Sequence, residues 1–460
     1  MFKKKKTRFL VTCAALLLPL ATLAGCGGLP TSTTPKTKIK FYTTMGTNLK
    51  PILESYIVEF NKLYPDIEIE HTSVGSYDDV RDQIKTEISI GEQPNLAYCY
   101  PDHVALYNKA RVVLTLDDFI NDPEIGLTEE QIADFIPGYY EEGREFGDGK
   151  MYTLPFSKST EVLYYNKTFF DANSIPVPDH WFSTDKDDTT SMEAVCRAIK
   201  AIDSGSIPLG YDSEANWFIT MCEQLQIPYT SATAPHFLFN NDEAKDFLKT
   251  FRNWYREGLI TTQKIYGSYT SGLFVEQDPT KTRSYMSIGS SAGANHQVPS
   301  KVDDAYPFEV GIAQIPQADP NNKKVISQGP SVCIFKSGNT EKDRASWLFL
   351  KYLLTSVEFQ AEFSLTSGYV PVIQSVMENE TYARRMADRN GYENAPMLSA
   401  YQCLQQADDY FTSPAFVGSS AARDQVGELV TAILSPESIT DAEIDTLFQN
   451  AIDECEYQVG

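Results

Sequence analysis

The sequence lacks the basic stretches that nucleic-acid-binding proteins use. Its 460 residues hold 39 Lys and Arg against 62 Asp and Glu, which gives a formal net charge of -23 at pH 7. Such an acidic chain repels phosphate backbones and anionic lipid headgroups. After its first 25 residues, the chain also has no apolar run near the ~20 residues that a membrane helix needs. We therefore expect neither a nucleic-acid partner nor a spanning helix.

Motifs of metal and nucleotide enzymes are missing as well. The chain has no C-x-x-C pair, no Cys/His cluster at zinc spacing, no H-E-x-x-H, no Walker A loop and no G-x-G-x-x-G. The acidic segment 185–190 lacks the Gly and Glu of a calcium loop, which favours a solvated loop. The six cysteines after Cys26 are widely spaced and fit disulfides or buried apolar positions equally well. We expect no metal and no cofactor.

One segment does match a catalytic motif. Gly289-Ser290-Ser291-Ala292-Gly293 fits G-x-S-x-G, the nucleophile elbow of α/β-hydrolases. That chemistry needs a His well downstream of the Ser, and only His296 follows, five residues after Ser291. A Gly/Ser turn after a strand also binds an anion or a polyol. Because paired carboxylates cannot be located by sequence, a membrane-anchored hydrolase of serine or glycoside type stays the alternative.

The first 26 residues match an export signal. Lys3–Lys6 and Arg8 precede an apolar run that ends in Leu23-Ala24-Gly25-Cys26. The run is too short for a comfortable span, and its ending resembles a bacterial lipobox, in which the Cys26 thiol receives fatty acids such as palmitate. Loss of residues 1–25, with five basic and no acidic residues, lowers the formal charge from -23 to -28. We expect a signal peptide over 1–25, a flexible tether over 26–37 and an anchor at the extracytoplasmic face of the cell membrane.

Strands alternate with amphipathic helices from residue 38 onward. Ser76 has the character of an N-cap for one of these helices. The alternation predicts a largely parallel sheet covered by helices. A helix-rich stretch over 190–260, a return of strands over 284–335 and a helical end predict two lobes joined by several crossings. The predicted first lobe spans 38–152 and 281–333, and the predicted second lobe spans 153–280 and 334–460.

Aromatic and hydroxyl side chains recur in Gly- and Pro-rich junctions, as a site for a small polar ligand requires. Four segments resemble the signature segments of family 1 extracellular solute-binding proteins, the receptors of ABC importers. They are PFSKSTEVLYYNK (155–167), SIGSSAG (287–293), GPS (329–331) and SGYVPV (367–372). The likeness runs from about residue 38 to 450, with the glycerol-3-phosphate-binding branch nearest. It implies an α/β, two-lobed, type II periplasmic-binding-protein-like fold with an interlobe hinge and a helical C-terminal region.

The resemblance also implies the ligand contacts. Matched position by position, these are Tyr77, Asp102, Ser159, Trp181, Ser290, Gly329, Tyr369 and Arg423. Two positions depart from the pattern: the family's pocket Glu falls on Pro101, beside Asp102, and Arg423 matches only after a one-residue deletion. The implied protein is a monomeric, lipid-anchored receptor without catalytic residues. It works with ABC permease subunits and binds glycerol-3-phosphate, a glycerophosphodiester or a small carbohydrate between closing lobes.

Overall fold

The computed structural model describes residues 35–459. Residues 1–34, which include the predicted anchor Cys26, lie outside this range. The strands of the described range are β1 (Thr37–Thr43), β2 (Ile67–Ser73), β3 (Leu96–Cys99), β4 (Thr153–Pro155), β5 (Glu161–Asn166), β6 (Leu209–Tyr211), β7 (Ile260–Thr262), β8 (Met286–Ser290), β9 (Val310–Ala313), β10 (Val325–Ile326), β11 (Ser331–Ile334) and β12 (Tyr410–Phe411).

Helices connect and cover these strands. They are α1 (Lys50–Leu63), α2 (Tyr77–Ile88), α3 (Pro101–Asn108), α4 (Asp117–Ile120), α5 (Glu129–Asp134), α6 (Pro137–Glu141), α7 (Lys167–Asn173), α8 (Met192–Ile202), α9 (Glu214–Gln224), α10 (Asp242–Arg256), α11 (Gln263–Tyr266), α12 (Ser271–Phe274), α13 (Thr340–Leu354), α14 (Val357–Ser367), α15 (Glu380–Ala387), α16 (Ala395–Gln405), α17 (Ser419–Leu434) and α18 (Asp441–Val459). Short 3-10 helices cover Glu142–Arg144, Ser291–His296, Gln374–Glu378 and Ala407–Asp409.

Two five-stranded sheets have the same arrangement of parallel and antiparallel strands. The first has the order β2-β1-β3-β11-β4 and the second β7-β6-β8-β5-β9. In each, three parallel strands are followed by an antiparallel fourth, which is β11 in one sheet and β5 in the other. We call each sheet with its covering helices a lobe. Parallel strands need helical crossovers, which explains the alternation seen in the sequence.

Helices bury the faces of both sheets. On the first sheet, Leu53 and Phe60 of α1 join Trp347 of α13 in one core, while Val80 of α2 packs on the opposite face. On the second, the apolar faces of α8, α9, α10, α17 and α18 form one continuous core. Each such side chain contributes ~1.5–3 kcal/mol when it is fully buried. The predicted N-cap is confirmed: the Ser76 hydroxyl accepts the Asp79 N–H, and the Asp79 carboxylate accepts the Ser76 N–H.

Three segments, called crossings here, run along the boundary between the lobes. The first crossing (156–160) joins β4 to β5 and the second (327–330) joins β10 to β11, so both lead from one sheet to the other. The third (406–418) joins α16 to α17, which both pack on the second sheet. Ser159 and Gln328 exchange two backbone hydrogen bonds of 2.9 Å, so the first two crossings are paired. The third joins them through β12, which pairs with β10. Together the three segments form a narrow waist between the lobes.

The strand pairing differs from the lobe boundaries predicted from sequence. β8 and β9 lie in the second sheet, where both pair with β5, although the sequence pattern predicts 281–333 in the first lobe. Helices α13 to α15 pack in the core of the first lobe, although the pattern predicts 334–460 in the second. Strand character alone does not say which sheet a strand joins, because only the pairing partner decides it. The six cysteines of the described range are buried and free.

Candidate functional site

A cavity of about 430 Å³ lies between the two lobes, and a second of about 430 Å³ continues it. The two share lining residues at their junction, so they form one elongated cleft. Predicted and unpredicted residues line it together: Tyr77, Tyr100, Asp102 and Tyr369 of the first lobe, Asp212, Asn216, Tyr229, Tyr269 and Arg423 of the second, and Ser159, Ser290 and Gln328 between them. The volume suits a small polar ligand of a few hundred Å³.

Tyrosines form the wall of the cleft on the first lobe. The capping box at Ser76 fixes the start of α2 and thereby the position of Tyr77. The Tyr77 ring meets Tyr100 edge-on at 5.0 Å between centroids, and its phenol oxygen lies 3.0 Å from that of Tyr369. Burial raises the pKa of Tyr77 well above its ordinary value, so its phenol stays protonated. Such hydroxyl-tipped rings offer an apolar face and a hydrogen bond to the same ligand.

Asp102 lies where the two lobes meet. It sits in the first turn of α3, where the helix dipole favours a carboxylate. Its carboxylate accepts a 2.8 Å hydrogen bond from the Ser420 hydroxyl on α17 of the other lobe. Burial acts to raise the pKa of Asp102, but His103, Arg423 and the Ser420 hydroxyl lower it on balance. Asp102 therefore stays charged and bridges the lobes.

Arg423 ends a chain of polar contacts on the floor of the second lobe. It lies in the second turn of α17. Its guanidinium donates to the Asn216 amide oxygen, and the Asn216 amide donates at 3.1 Å to Glu161. The Tyr211 hydroxyl donates at 2.5 Å to the other oxygen of Glu161. Burial raises the pKa of Glu161 to about 7.

Two predicted serines meet at the junction of the cavities. The Ser290 hydroxyl donates to the Ser159 hydroxyl at 3.4 Å and accepts the Ala292 N–H at 3.2 Å. Ser291, the nucleophile position of the G-x-S-x-G match, is fully buried. Its hydroxyl accepts the backbone N–H of Thr160 at 3.2 Å. Across the described residues, no His hydrogen-bonds to the Ser291 hydroxyl.

Gly329 does not line the cleft, although its neighbour Gln328 does. Its φ of +86° is a conformation that side chains rarely adopt, and a Cβ there would lie 2.3 Å from the Ser157 carbonyl oxygen. The Gly329 carbonyl accepts from the Lys158 ammonium at 3.4 Å. This glycine fixes the backbone of the waist, and Gly329, predicted as a ligand contact, is not among the residues that line the cleft.

Trp181 also differs from its predicted role. Only 1 % of the residue is exposed, and its ring packs against Trp217 and Phe251 in the core of the second lobe. No part of it lines the cleft. Apolar side chains of α9 and α10 surround this ring. A single Trp in a sequence does not show whether its ring contacts a ligand or packs in a core.

Tyr269 is one of the cleft-lining residues that sequence reasoning missed. It lines both cavities, and 64 % of the residue is exposed. It stands in Gly267-Ser268-Tyr269, the same tripeptide as Gly75-Ser76-Tyr77 on the opposite lobe. That repeated tripeptide is the signal that could have revealed it. Asp212 and Asn216 carried no such signal, because they follow a short strand with no distinctive pattern.

The comparisons with known proteins agree with this architecture. The profile of the family described as "Bacterial extracellular solute-binding protein" matches residues 55–388. The chain belongs to this family. It is 23% identical over 352 residues to the sn-glycerol-3-phosphate-binding periplasmic protein UgpB of Yersinia pestis. This match covers 74% of this chain and 75% of the relative. The family resemblance seen in the sequence is thus confirmed.

Solved structures show the same fold. The GacH receptor of Streptomyces glaucescens, solved unliganded and in complex with acarbose, superposes with a TM-score of 0.71 at 16% identity, over 93% of this chain and 99% of the receptor. UgpB of Mycobacterium tuberculosis, in complex with glycerophosphocholine, gives a TM-score of 0.69 at 15% identity, again over 93% and 99%. The predicted two-lobed α/β binding-protein fold is therefore confirmed.

Residues 35–459 contain neither of two features that would point to other kinds of site. No helix in that range is long and apolar enough to cross a membrane. No three His, Cys, Asp or Glu side chains of the range converge as ligands for a metal ion.

Proposed function

We propose that this protein is the lipid-anchored receptor of an ABC importer and that it binds a small carbohydrate between its closing lobes. One observation carries the proposal. An elongated polar cleft is lined from both lobes by tyrosines and carboxylates, and the Asp102–Ser420 hydrogen bond spans it. A ligand that contacts both walls favours the closed arrangement, because only there does it gain both sets of contacts.

The charge of the cleft supports a neutral polyhydroxylated ligand. Four carboxylates line the first cavity: Asp78 and Glu142 are paired with Arg81 and Lys158, which leaves Asp102 and Asp212 to face a ligand. Among the described residues of that lining, Arg423 is the single Lys or Arg, and its guanidinium is already bonded to Asn216. Carboxylates accept hydrogen bonds from sugar hydroxyls, whereas a phosphate would face repulsion. The acarbose bound by the GacH receptor, which shares this fold, supports the same choice.

A glycerophosphodiester is the second candidate, and the position of Arg423 favours it. A guanidinium in a cleft grips phosphate oxygens with paired hydrogen bonds. The nearby carboxylates would then suit a cationic headgroup, such as that of the glycerophosphocholine bound by the Mycobacterium tuberculosis relative. The sequence likeness to UgpB of Yersinia pestis supports the same candidate.

A binding screen separates these ligands. Calorimetry with malto-oligosaccharides, glycerol-3-phosphate and glycerophosphocholine should give stoichiometric heat with a carbohydrate and no product on incubation. Preferential binding of glycerophosphocholine would select the second candidate. If no sugar or phosphoester binds at millimolar concentration, the proposed ligand class is wrong.

The hydrolase alternative has a direct test at Ser291. Its buried hydroxyl is bonded to the backbone of Thr160, which supports a structural role. Ser291→Ala should leave ligand binding intact, and the wild type should not turn over esters or glycosides. Reproducible hydrolysis that Ser291→Ala abolishes would instead establish an enzyme.

A further inference from the structure

A fully buried ion pair lies at the waist between the lobes. The Lys158 ammonium donates to the Glu142 carboxylate, and the two side chains are only 1% and 4% exposed. Glu142 belongs to the first lobe, in the 3-10 helix after α6, and Lys158 belongs to the first crossing. Burial of two charges is costly unless their remaining hydrogen-bonding groups are satisfied. A pair at this position therefore calls for a reason other than stability.

The Glu142 carboxylate reaches all three crossings at once. One oxygen accepts from Ser327 in the second crossing and from Thr412 in the third, each at 3.2 Å. The other oxygen accepts from Lys158 in the first crossing and from Ser331, at 3.3 Å, where the second crossing enters β11. A carboxylate has about four acceptor positions, so this group is saturated.

Lys158 completes the connection. Its ammonium also donates to the Gly329 carbonyl of the second crossing at 3.4 Å. Its backbone exchanges hydrogen bonds of 3.2 and 2.7 Å with Val370 of the first lobe. Val370 directly follows Tyr369 of the cleft wall, and Glu142 itself lines the cleft. The pair thus touches the hinge segments and the ligand cavity simultaneously.

We propose that Glu142 and Lys158 are positioning residues that hold the three crossings in the closed arrangement and make them move as one unit. Without the shared carboxylate, we expect each crossing to change its backbone angles independently, which weakens the closed arrangement in which these contacts are seen. The proposal goes beyond the proposed function, because it concerns the lobe equilibrium and not the ligand.

The test measures the interlobe distance in the protein without added ligand. Spin labels are attached at Ile90→Cys in the first lobe and Tyr457→Cys in the second, in a Cys26→Ser background, since both sites are exposed and the six other cysteines beyond residue 35 are buried. Pulsed electron resonance then gives the distance distribution. Thr412→Val removes one contact without leaving a buried charge unpaired, and Lys158→Met removes the cation.

We expect Thr412→Val to lengthen the mean distance by several ångström and to broaden its distribution, with little change in melting temperature. Lys158→Met should do the same and also lower the melting temperature, because it leaves the buried Glu142 carboxylate without its cation. The double variant Glu142→Gln, Lys158→Met should recover the melting temperature but keep the longer distances. That combination is the signature of positioning, since a purely structural pair would restore both.

Lys351→Met is the matched control. Lys351 donates to the carbonyls of Ile125 and Gly126, so it also ties two segments together, but both are in the first lobe. It should lower the melting temperature and leave the distances unchanged. Wild-type distances in folded Thr412→Val and in the folded double variant would overturn the proposal and leave the proposed function untouched.

Discussion

Arg423 illustrates how a residue can serve a ligand while it is bonded to the protein. Its guanidinium has five N–H donors, and the described contact to Asn216 occupies one nitrogen. Arg423 also lines the cleft. The residue can therefore orient Asn216 and still offer hydrogen bonds to a ligand oxygen.

Substitution of Arg423 should consequently weaken binding. We expect Arg423→Ala to lower ligand affinity about tenfold, which corresponds to ~1.4 kcal/mol and to the loss of one hydrogen bond with a charged donor. Calorimetry measures the change. Arg252→Ala is the control, because Arg252 donates to the carbonyls at the end of α17, away from the cleft. It should reduce stability and leave affinity unchanged; equal affinities in both variants would contradict the assigned role.

Glu161 predicts a pH dependence of stability. Burial raises its pKa to about 7 in the folded state, from an ordinary value of ~4.3 in the unfolded chain. Between these values the folded state binds the extra proton, so stability falls as the pH rises from the lower value to the higher one. We expect Glu161→Gln, which imitates the neutral acid, to remove a loss of ~3 kcal/mol between pH 4 and pH 8.

Urea denaturation of both proteins at pH 5 and pH 8 checks this expectation. Glu257→Gln serves as the control, since Glu257 is an exposed acid paired with Arg197. Its pH dependence should equal that of the wild type. If the free energy of unfolding of Glu161→Gln changes between pH 5 and pH 8 as much as that of the wild type, Glu161 is ionised in the folded protein at neutral pH.

Much of the site could be predicted residue by residue, and the exceptions have physical reasons. Tyr77, Asp102 and Arg423 reach the cleft because each stands in the first two turns of a helix that begins at the interlobe edge. Trp181 is predicted to contact the ligand but lies in the core, whereas Tyr269 lines the cleft and is not predicted. Aromatic rings suit a core and a ligand equally well, so only the packing around Trp181 and the exposure of Tyr269 distinguish them.

At the scale of elements, α2 and α17 approach each other from opposite lobes. The Arg81 guanidinium of α2 lies 3.6 Å from the Asp424 carboxylate of α17, beside the Asp102–Ser420 contact. The Asp424 side chain is 53% exposed, and exposed ion pairs contribute only ~0–1 kcal/mol. Because this contact exists only when the lobes are together, its energy acts on closure and not on folding.

Asp424→Asn should therefore weaken ligand affinity by about twofold to fivefold and leave the melting temperature unchanged. The effect should shrink at high salt, because exposed charges are screened. Asp82→Asn is the control, since Asp82 pairs with the same Arg81 inside α2 at 2.9 Å. Calorimetry at two salt concentrations gives the comparison. A loss of melting temperature equal to the loss of binding energy would argue against a role in closure.

The helices and strands could be predicted from the sequence, but the pairing of strands into sheets could not. The N-cap residue Ser76 and the apolar residues of α1 and α10 form patterns that each span only a few consecutive residues. Rules that consider neighbouring residues therefore find them. The membership of β8 and β9 in the second sheet depends on their pairing with β5, more than a hundred residues earlier. Local patterns carry no information on such partners.

At the scale of the whole molecule, ligand binding should change the shape of the protein in solution. We expect a smaller radius of gyration by small-angle scattering when the cleft is occupied, because ligand contacts to both lobes favour closure. The wild type with and without a bound carbohydrate provides the measurement, and a non-binding sugar is the control. Identical profiles under saturation would contradict hinge closure.

The anchor is a prediction from sequence that lies outside the described residues. Cys26→Ser should abolish labelling with radioactive palmitate and release the protein from the membrane fraction. Ligand affinity should stay the same, since the cleft is built entirely from residues after 75. Persistent labelling of the Cys26→Ser protein would show that another residue is acylated.

The position of β11 has a consequence for how the chain is made. This strand lies between β3 and β4, and Ser331 pairs with Cys99 across 232 positions. At a synthesis rate of ~5–20 residues per second, β11 is made roughly 10–50 s after β3, so the first sheet cannot be completed earlier. Distant pairing of this kind also slows folding after synthesis. We therefore expect the predicted export to act on a polypeptide whose first lobe is still incomplete.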